Sequence, residues 1–166
     1  NDIIDAGTGD DSIDAGDGND SVTGGDGIDT ISGADGADTI DGGAGNDAIN
    51  GMSGLDELIG GDGDDTLLGG ADDDIVSGGT GNDLIEGNAG NDVISGGDGS
   101  DQIHGGSGND VIEGDAGADI LNGQSGNDDI NGGSEGDTIL GGGGKDTLSG
   151  STDNDIVKGQ SGDDIV

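Results

Sequence analysis

Gly105-Gly106-Ser107-Gly108-Asn109-Asp110-Val111-Ile112-Glu113 decides the fold, because the same nine-residue phrase fills the chain on both sides of it. With its positions numbered one to nine, Asp110 stands at six and Ile112 at eight. Stepping by nine from Asp110 meets aspartate every time: Asp2, Asp11, Asp20, Asp29, Asp38, Asp47, Asp56, Asp65, Asp74, Asp83, Asp92, Asp101, Asp119, Asp128, Asp137, Asp146, Asp155 and Asp164. Stepping from Ile112 meets only Ile, Leu or Val, from Ile4 and Ile13 to Val157 and Val166. Of the 18 complete turn segments, position one is Gly in 16, position four in 15 and position two in 11. The phase never slips, which no composition bias produces.

That order matters because the bulk composition alone describes a disordered chain: 44 glycines, 39 acidic residues against two lysines, and a formal charge of -37. The same figures exclude several classes. Lys145 and Lys158 cannot supply the basic footprint that nucleic acid requires. An anionic membrane surface would repel the chain, and no apolar run approaches the roughly 18 residues of a spanning helix. Cysteine is absent, so there is no disulfide framework and no thiolate metal site. Without an initiator Met or a leader-like stretch, residues 1–166 read as one repeat domain cut from a longer or processed protein.

Three glycines within four positions suit a tight turn with backbone angles closed to most side chains. The x-aliphatic-x triplet that follows is a minimal strand with one side chain inward and its neighbours outward. Two such units close an 18-residue coil, and coils stacked at the strand spacing of roughly 4.8 Å make a rod of about nine layers. One aliphatic side chain per nine ordered residues is a thin core for so glycine-rich a chain. Stacking also lays Asp11 over Asp29, Asp47 and Asp65 on one edge, and Asp20 over Asp38 and Asp56 on the other. Such ladders of like charge repel unless a cation neutralises them. A hard divalent ion between turns would find only oxygens there: a carboxylate from each layer and main-chain carbonyls from above and below. Among these are the carbonyls of Gly24, Gly25, Gly27, Gly42, Gly43, Gly45, Gly60, Gly61, Gly63, Gly105, Gly106 and Gly108. An oxygen cage of this kind suits calcium better than magnesium. Ions bridging each turn to the next but one would number roughly 16, with 32 positive charges against a net charge of -37.

The phrase matches Gly-Gly-x-Gly-x-Asp-x-(aliphatic)-x, as Gly24-Gly25-Asp26-Gly27-Ile28-Asp29-Thr30-Ile31-Ser32 also does, and in this the chain resembles the RTX (hemolysin-type) calcium-binding nonapeptide repeat family over its whole length. The resemblance implies an all-β fold, a right-handed parallel β-roll or β-solenoid with two nonapeptides per coil and calcium ions between stacked turns. It also implies type I secretion, in which the chain is exported unfolded and folds in calcium outside the cell.

The departures are few. Position four is Asp72, Glu135 and Asp153; position two is Ala34, Met52, Asn88, Asp115, Gln124, Ser151 and Gln160. Two irregular turns, Gly132 to Asp137 and Gly150 to Asp155, face one another, so the gap between Asp137 and Asp155 is expected to be the most distorted. His104 falls at outward position nine with no second His or Cys to form a metal or catalytic set. Carboxylates such as Asp17, Asp26, Asp35, Asp62 and Asp98, at position three, read as solvated surface. Outward Ile75, Val93 and Val111 occupy successive coils of one sheet, as β-branched residues favour. Thr-x-Asn, which lines the turns of some RTX proteins that bind ice, occurs only at Thr80/Asn82 and Thr152/Asn154, four coils apart, and makes no array.

The sequence therefore predicts a multi-site calcium-binding structural module, secreted or displayed at the cell surface, and no enzyme. The alternative is the C-terminal secretion and folding tail of a type I-exported protease, lipase or cytolysin. Its expected partners are calcium ions, with flanking domains or end-to-end stacked copies at the two open ends, and neither nucleic acid nor an inserted membrane.

Overall fold

The computed structural model describes residues 1–166 and contains strands and turns only. The first six strands are β1 (Ile3–Thr8), β2 (Ser12–Asp14), β3 (Ser21–Asp26), β4 (Thr30–Asp35), β5 (Thr39–Ala44) and β6 (Ala48–Ser53). The next six are β7 (Glu57–Asp62), β8 (Thr66–Ala71), β9 (Ile75–Thr80), β10 (Leu84–Ala89), β11 (Val93–Asp98) and β12 (Gln102–Ser107). The last are β13 (Val111–Ala116), β14 (Ile120–Ser125), β15 (Asp129–Asn131), β16 (Thr138–Gly143), β17 (Thr147–Ser149) and β18 (Ile156–Ser161). Odd-numbered strands form one nine-stranded sheet and even-numbered strands the other. Every pairing is parallel and offset by 18 residues, as in Val93↔Val111 and Ile85↔Ile103. This is the parallel β-solenoid with two nonapeptides per coil.

Strands are longer than the three-residue unit expected. Except at β2, β15 and β17 they run six residues, from position seven through position three of the next repeat. The reason lies in the glycines, whose three positions do different work. Positions two and four carry positive φ throughout, whereas position one does not. Position one continues the strand, and its constraint is steric: a β-carbon on Gly69 would lie 2.6 Å from Asp74 Oδ2 and 2.8 Å from the Gly87 carbonyl. The ten residues that replace glycine at positions two and four are the ten non-glycines with positive φ. They lie between 63 and 81°, near the left-handed well open to L-residues, while the glycine at 27, for example, sits at 146°.

The inward face also holds more than one residue per repeat. From Val22 to Leu148 each position-eight side chain is buried and joins one continuous aliphatic core. Two residues earlier, on the same side of an extended chain, Asp20 through Asp146 are buried as well. The carboxylates therefore point into the turns, inside the rod. Ile75, Val93 and Val111 lie in register on the opposite, outer face and are about half exposed.

The two glycine roles separate by substitution. Gly69→Ala is expected to destabilise the calcium-loaded rod by about 1–3 kcal/mol through overpacking. Gly70→Asn must also move, since at a φ of 122° its β-carbon would run into the Met52 carbonyl. Rotation to the 73–80° that Asn88 and Met52 adopt in the same row relieves it, so it is expected to cost less than Gly69→Ala. Denaturant melts of both variants in calcium check the ranking.

Candidate metal centres

The gap between the turns Gly42–Asp47 and Gly60–Asp65 shows how each site is built. Asp65 Oδ1 accepts the Asp47 N–H at 2.7 Å. Asp47 Oδ2 faces the other way, and both it and the Gly60 carbonyl lie 2.6 Å from the point where a β-carbon on Gly42 would sit. A glycine here is what leaves the cradle open. Gly45 aims its carbonyl at Gly63 in the next coil. Carbonyls at positions four and five accept no hydrogen bond anywhere in the chain, since the turn bonds use the position-three and position-six carbonyls instead. The position-two carbonyls of Asp115 and Gly133 accept the position-three amides of Ser134 and Thr152.

The Oδ1 bond repeats without interruption from Asp11 and Asp29 to Asp146 and Asp164. Asp2 donates to Asp20 in the same way. The Oδ2 atoms of Asp11 through Asp146 are buried and have no partner at all. Those 16 aspartates are the lower members of the 16 gaps counted from the sequence. A buried unpaired carboxylate oxygen is costly, and it requires a cation or a proton. No three acidic or histidine side chains converge anywhere, so an ion here depends on main-chain oxygens, as hard cations with oxygen shells allow. The residues fit calcium.

Protonation responds to the same geometry. Burial pushes Asp65 and Asp74 up to about 7; Asp amides of the coil below offset part of this, and stacked aspartates add to it. Asp101, Asp110 and Asp119 are raised to about 6 for the same reasons. Asp64 and Asp73, at position five, move the opposite way because the amides of Asn82 and Asn91 bond to them.

The gap between Asp137 and Asp155 is distorted, as the sequence predicted. The strands on either side, β15 and β17, stop after three residues. Glu135 N–H bonds to Asp153 Oδ2 at 3.3 Å instead of a main-chain acceptor, and the Thr152 N–H reaches the Gly133 carbonyl at 3.2 Å where Ser134 reaches Asp115 at 2.8 Å one coil lower. At Gly132 the three atoms nearest a β-carbon position all belong to Asp137, so the Gly150 carbonyl stands at or beyond 3.0 Å, the outer limit in the regular gaps. The Oδ1 ladder continues from Asp137 to Asp155 at 3.0 Å. Burial raises Asp137, helped by the nearby charges of Asp155, Glu135 and Asp153. His104 lies on the outer face of β12 with Nε2 3.0 Å from the Gln102 amide, and Lys145 and Lys158 make no ion pair.

A parallel β-solenoid with a continuous row of half-bonded carboxylates inside each edge defines a class of acidic-turn repeat proteins. A family model of the RTX calcium-binding nonapeptide repeat, four copies long, matches residues 1–31, 23–58, 50–85, 77–112, 104–139 and 140–166. The chain belongs to that family and is a calcium-binding repeat module. Among solved structures it is similar to a hyperactive, Ca2+-dependent, β-helical antifreeze protein from an Antarctic bacterium, at 28% identity and a TM-score of 0.52. The likeness covers 98% of this chain and 60% of that one. No protein in the curated set matches.

Raised carboxylates bind more protons folded than unfolded, so their contribution to metal-free stability is fullest below about pH 4 and is lost as pH rises through 6 and 7. In chelator, acidification from pH 8 to 5 is therefore expected to increase β-structure by circular dichroism. A decrease over that range would contradict the buried-carboxylate geometry.

Proposed function

We propose that this module folds on binding calcium outside the cell, as a structural segment of a secreted or surface protein, with one ion in each gap and roughly 16 in all. The observation that carries the reading is the unpartnered Oδ2, present once per gap and aimed beside a carbonyl of the next coil. In each gap the lower aspartate would contribute Oδ2 and the position-four carbonyl of its turn. The upper turn would contribute its position-one carbonyl, with the upper carboxylate anchored by the amide beneath it. Calcium would supply the positive charge that lets stacked carboxylates stay ionised at neutral pH. The chain's own part is to gather oxygens, keep them dry and hold two turns at one spacing.

Because a preformed site is absent from the unfolded chain, binding free energy becomes folding free energy. Neighbouring coils share every carboxylate, so loading spreads along the stack cooperatively. Extracellular calcium modules commonly work at about 0.1–1 mM, far above cytosolic levels, which supports a chain that stays open before export and closes after it. The ice activity of the Antarctic relative is not extended to this chain. Its turn rows alternate Asp62, Thr80 and Asp98, and the Thr80 hydroxyl is bonded to Asp62.

In chelator at neutral pH the chain is expected to be largely unordered by circular dichroism, gaining β-structure as calcium is titrated in and far less with equal magnesium. Equal β-content in chelator would overturn the reading. Asp110→Asn keeps an acceptor for the Asp92 amide but removes a charge. It is expected to stabilise the metal-free rod and raise the calcium midpoint, two opposite shifts that parallel melts with and without calcium resolve.

A further inference from the structure

Outside the aspartate rows runs a second ladder, at position five. Asp73 Oδ1 accepts both the main-chain N–H of Asn91 at 2.6 Å and its Nδ2 at 2.9 Å. Asn91 Oδ1 accepts the same pair from Asn109, and Asn109 Oδ1 from Asn127. Asn127 Oδ1 takes the Lys145 N–H at 2.9 Å. On the other edge Asp64 receives both groups of Asn82, and Asp10 receives the Ile28 N–H. The run from Asn91 to Asn127 thus starts on the carboxylate of Asp73, at the end where its N–H groups point, and finishes at Lys145.

The position-five N–H shares a planar trans peptide with the position-four carbonyl, so the two point in opposite directions. Holding the N–H down onto the coil below turns that carbonyl up into the gap above. The carbonyls differ accordingly. Those of Gly90, Gly108, Gly126 and Gly144, whose peptides are held by bonds of 2.6–2.9 Å, approach the next coil's β-carbon position more closely than those of Gly45 and Asp72. That of Gly63, held only by the 3.2 Å bond from Asp64 to Asn46, falls between these two. The amides of Asn46 and Asp73 stand above Ile28 and Leu55, which offer no side-chain acceptor.

Resting on the calcium reading above, we propose that position-five Asn and Asp are positioning residues for the metal gaps. Each presets the carbonyl ligand of the gap above the peptide it holds. The run from Asp73 to Asn127 makes the four gaps between Asp92 and Asp164 on its edge the best prepared in the rod. Such groups act through the ligands they orient, and losing one commonly weakens metal binding about tenfold.

The test uses the full chain, with calcium binding followed by calorimetry and amide exchange by NMR. Asn91→Ala, Asn109→Ala and Asn127→Ala combined should weaken binding about tenfold at the gaps above Asp110, Asp128 and Asp146. The main-chain amides at positions 109, 127 and 145 should lose protection. Asn→Asp at the same three positions keeps the acceptor oxygen and should retain protection. Ile28→Asn should lower the calcium requirement by giving the Asn46 amide an acceptor and Asp10 a second donor, and it is informative even if the alanine variant fails to fold. Unchanged binding with freely exchanging amides would overturn the proposal, as would an Ile28→Asn chain with parental affinity. A parent chain indifferent to calcium would overturn the reading beneath it as well.

Discussion

Each buried carboxylate has one oxygen bonded to the coil below and one bonded to nothing. The first oxygen ties neighbouring turns together through an amide, which holds the rows at a constant spacing. The second leaves a negative, dry acceptor in every gap from Asp11 to Asp146. Burial makes ionisation costly there, and like charges above and below make it costlier. Glycine at position one, the upward carbonyl at position four and the carboxamides outside all serve the space around that oxygen. The aliphatic core, one side chain per strand, aligns the coils but contributes little to the turns, where the carboxylates lie.

Much of this was legible in the residues. The 18-residue coil, the parallel stacking and the two edges follow from a nine-residue phase that never breaks, and the weak gap at Asp137 followed from Glu135, Ser151 and Asp153. The orientation of the aspartates could have been read too. Asp at six and Ile or Leu at eight share a face of any extended chain, so a buried position eight carries a buried position six with it. The division of labour among glycines was not legible, because a steric glycine such as Gly69 and a left-handed one such as Gly70 are the same letter. Nor was the outer ladder. Asn91, Asn109 and Asn127 look like solubilising surface until the 18-residue register places each above the next.

The non-glycine turns show how much freedom the design retains. Met52, Gln124 and Asp72 adopt φ values of 80, 71 and 81°, a rotation away from the wider angles that glycine takes in the same rows. The aspartate ladder passes through these turns intact. Strand pairing retreats at Gly132 to Asp137 and Gly150 to Asp155, where Glu135 and Asp153 replace the position-four glycine in successive coils, but not where Ala34 stacks on Met52 at position two. Stacked departures at position two are absorbed, and stacked ones at position four are not.

The alternation of odd strands in one sheet and even strands in the other gives the rod two unequal sides built from one motif. Loss or duplication of one nonapeptide in the gene would preserve every hydrogen bond of the ladder, yet send all later repeats to the opposite side. Asn91, Asn109 and Asn127 would then part from Asp73, and Val93 and Val111 from Ile75. Length can therefore evolve smoothly only in pairs of repeats, while a single-repeat change reshuffles the outer surface without disturbing the interior.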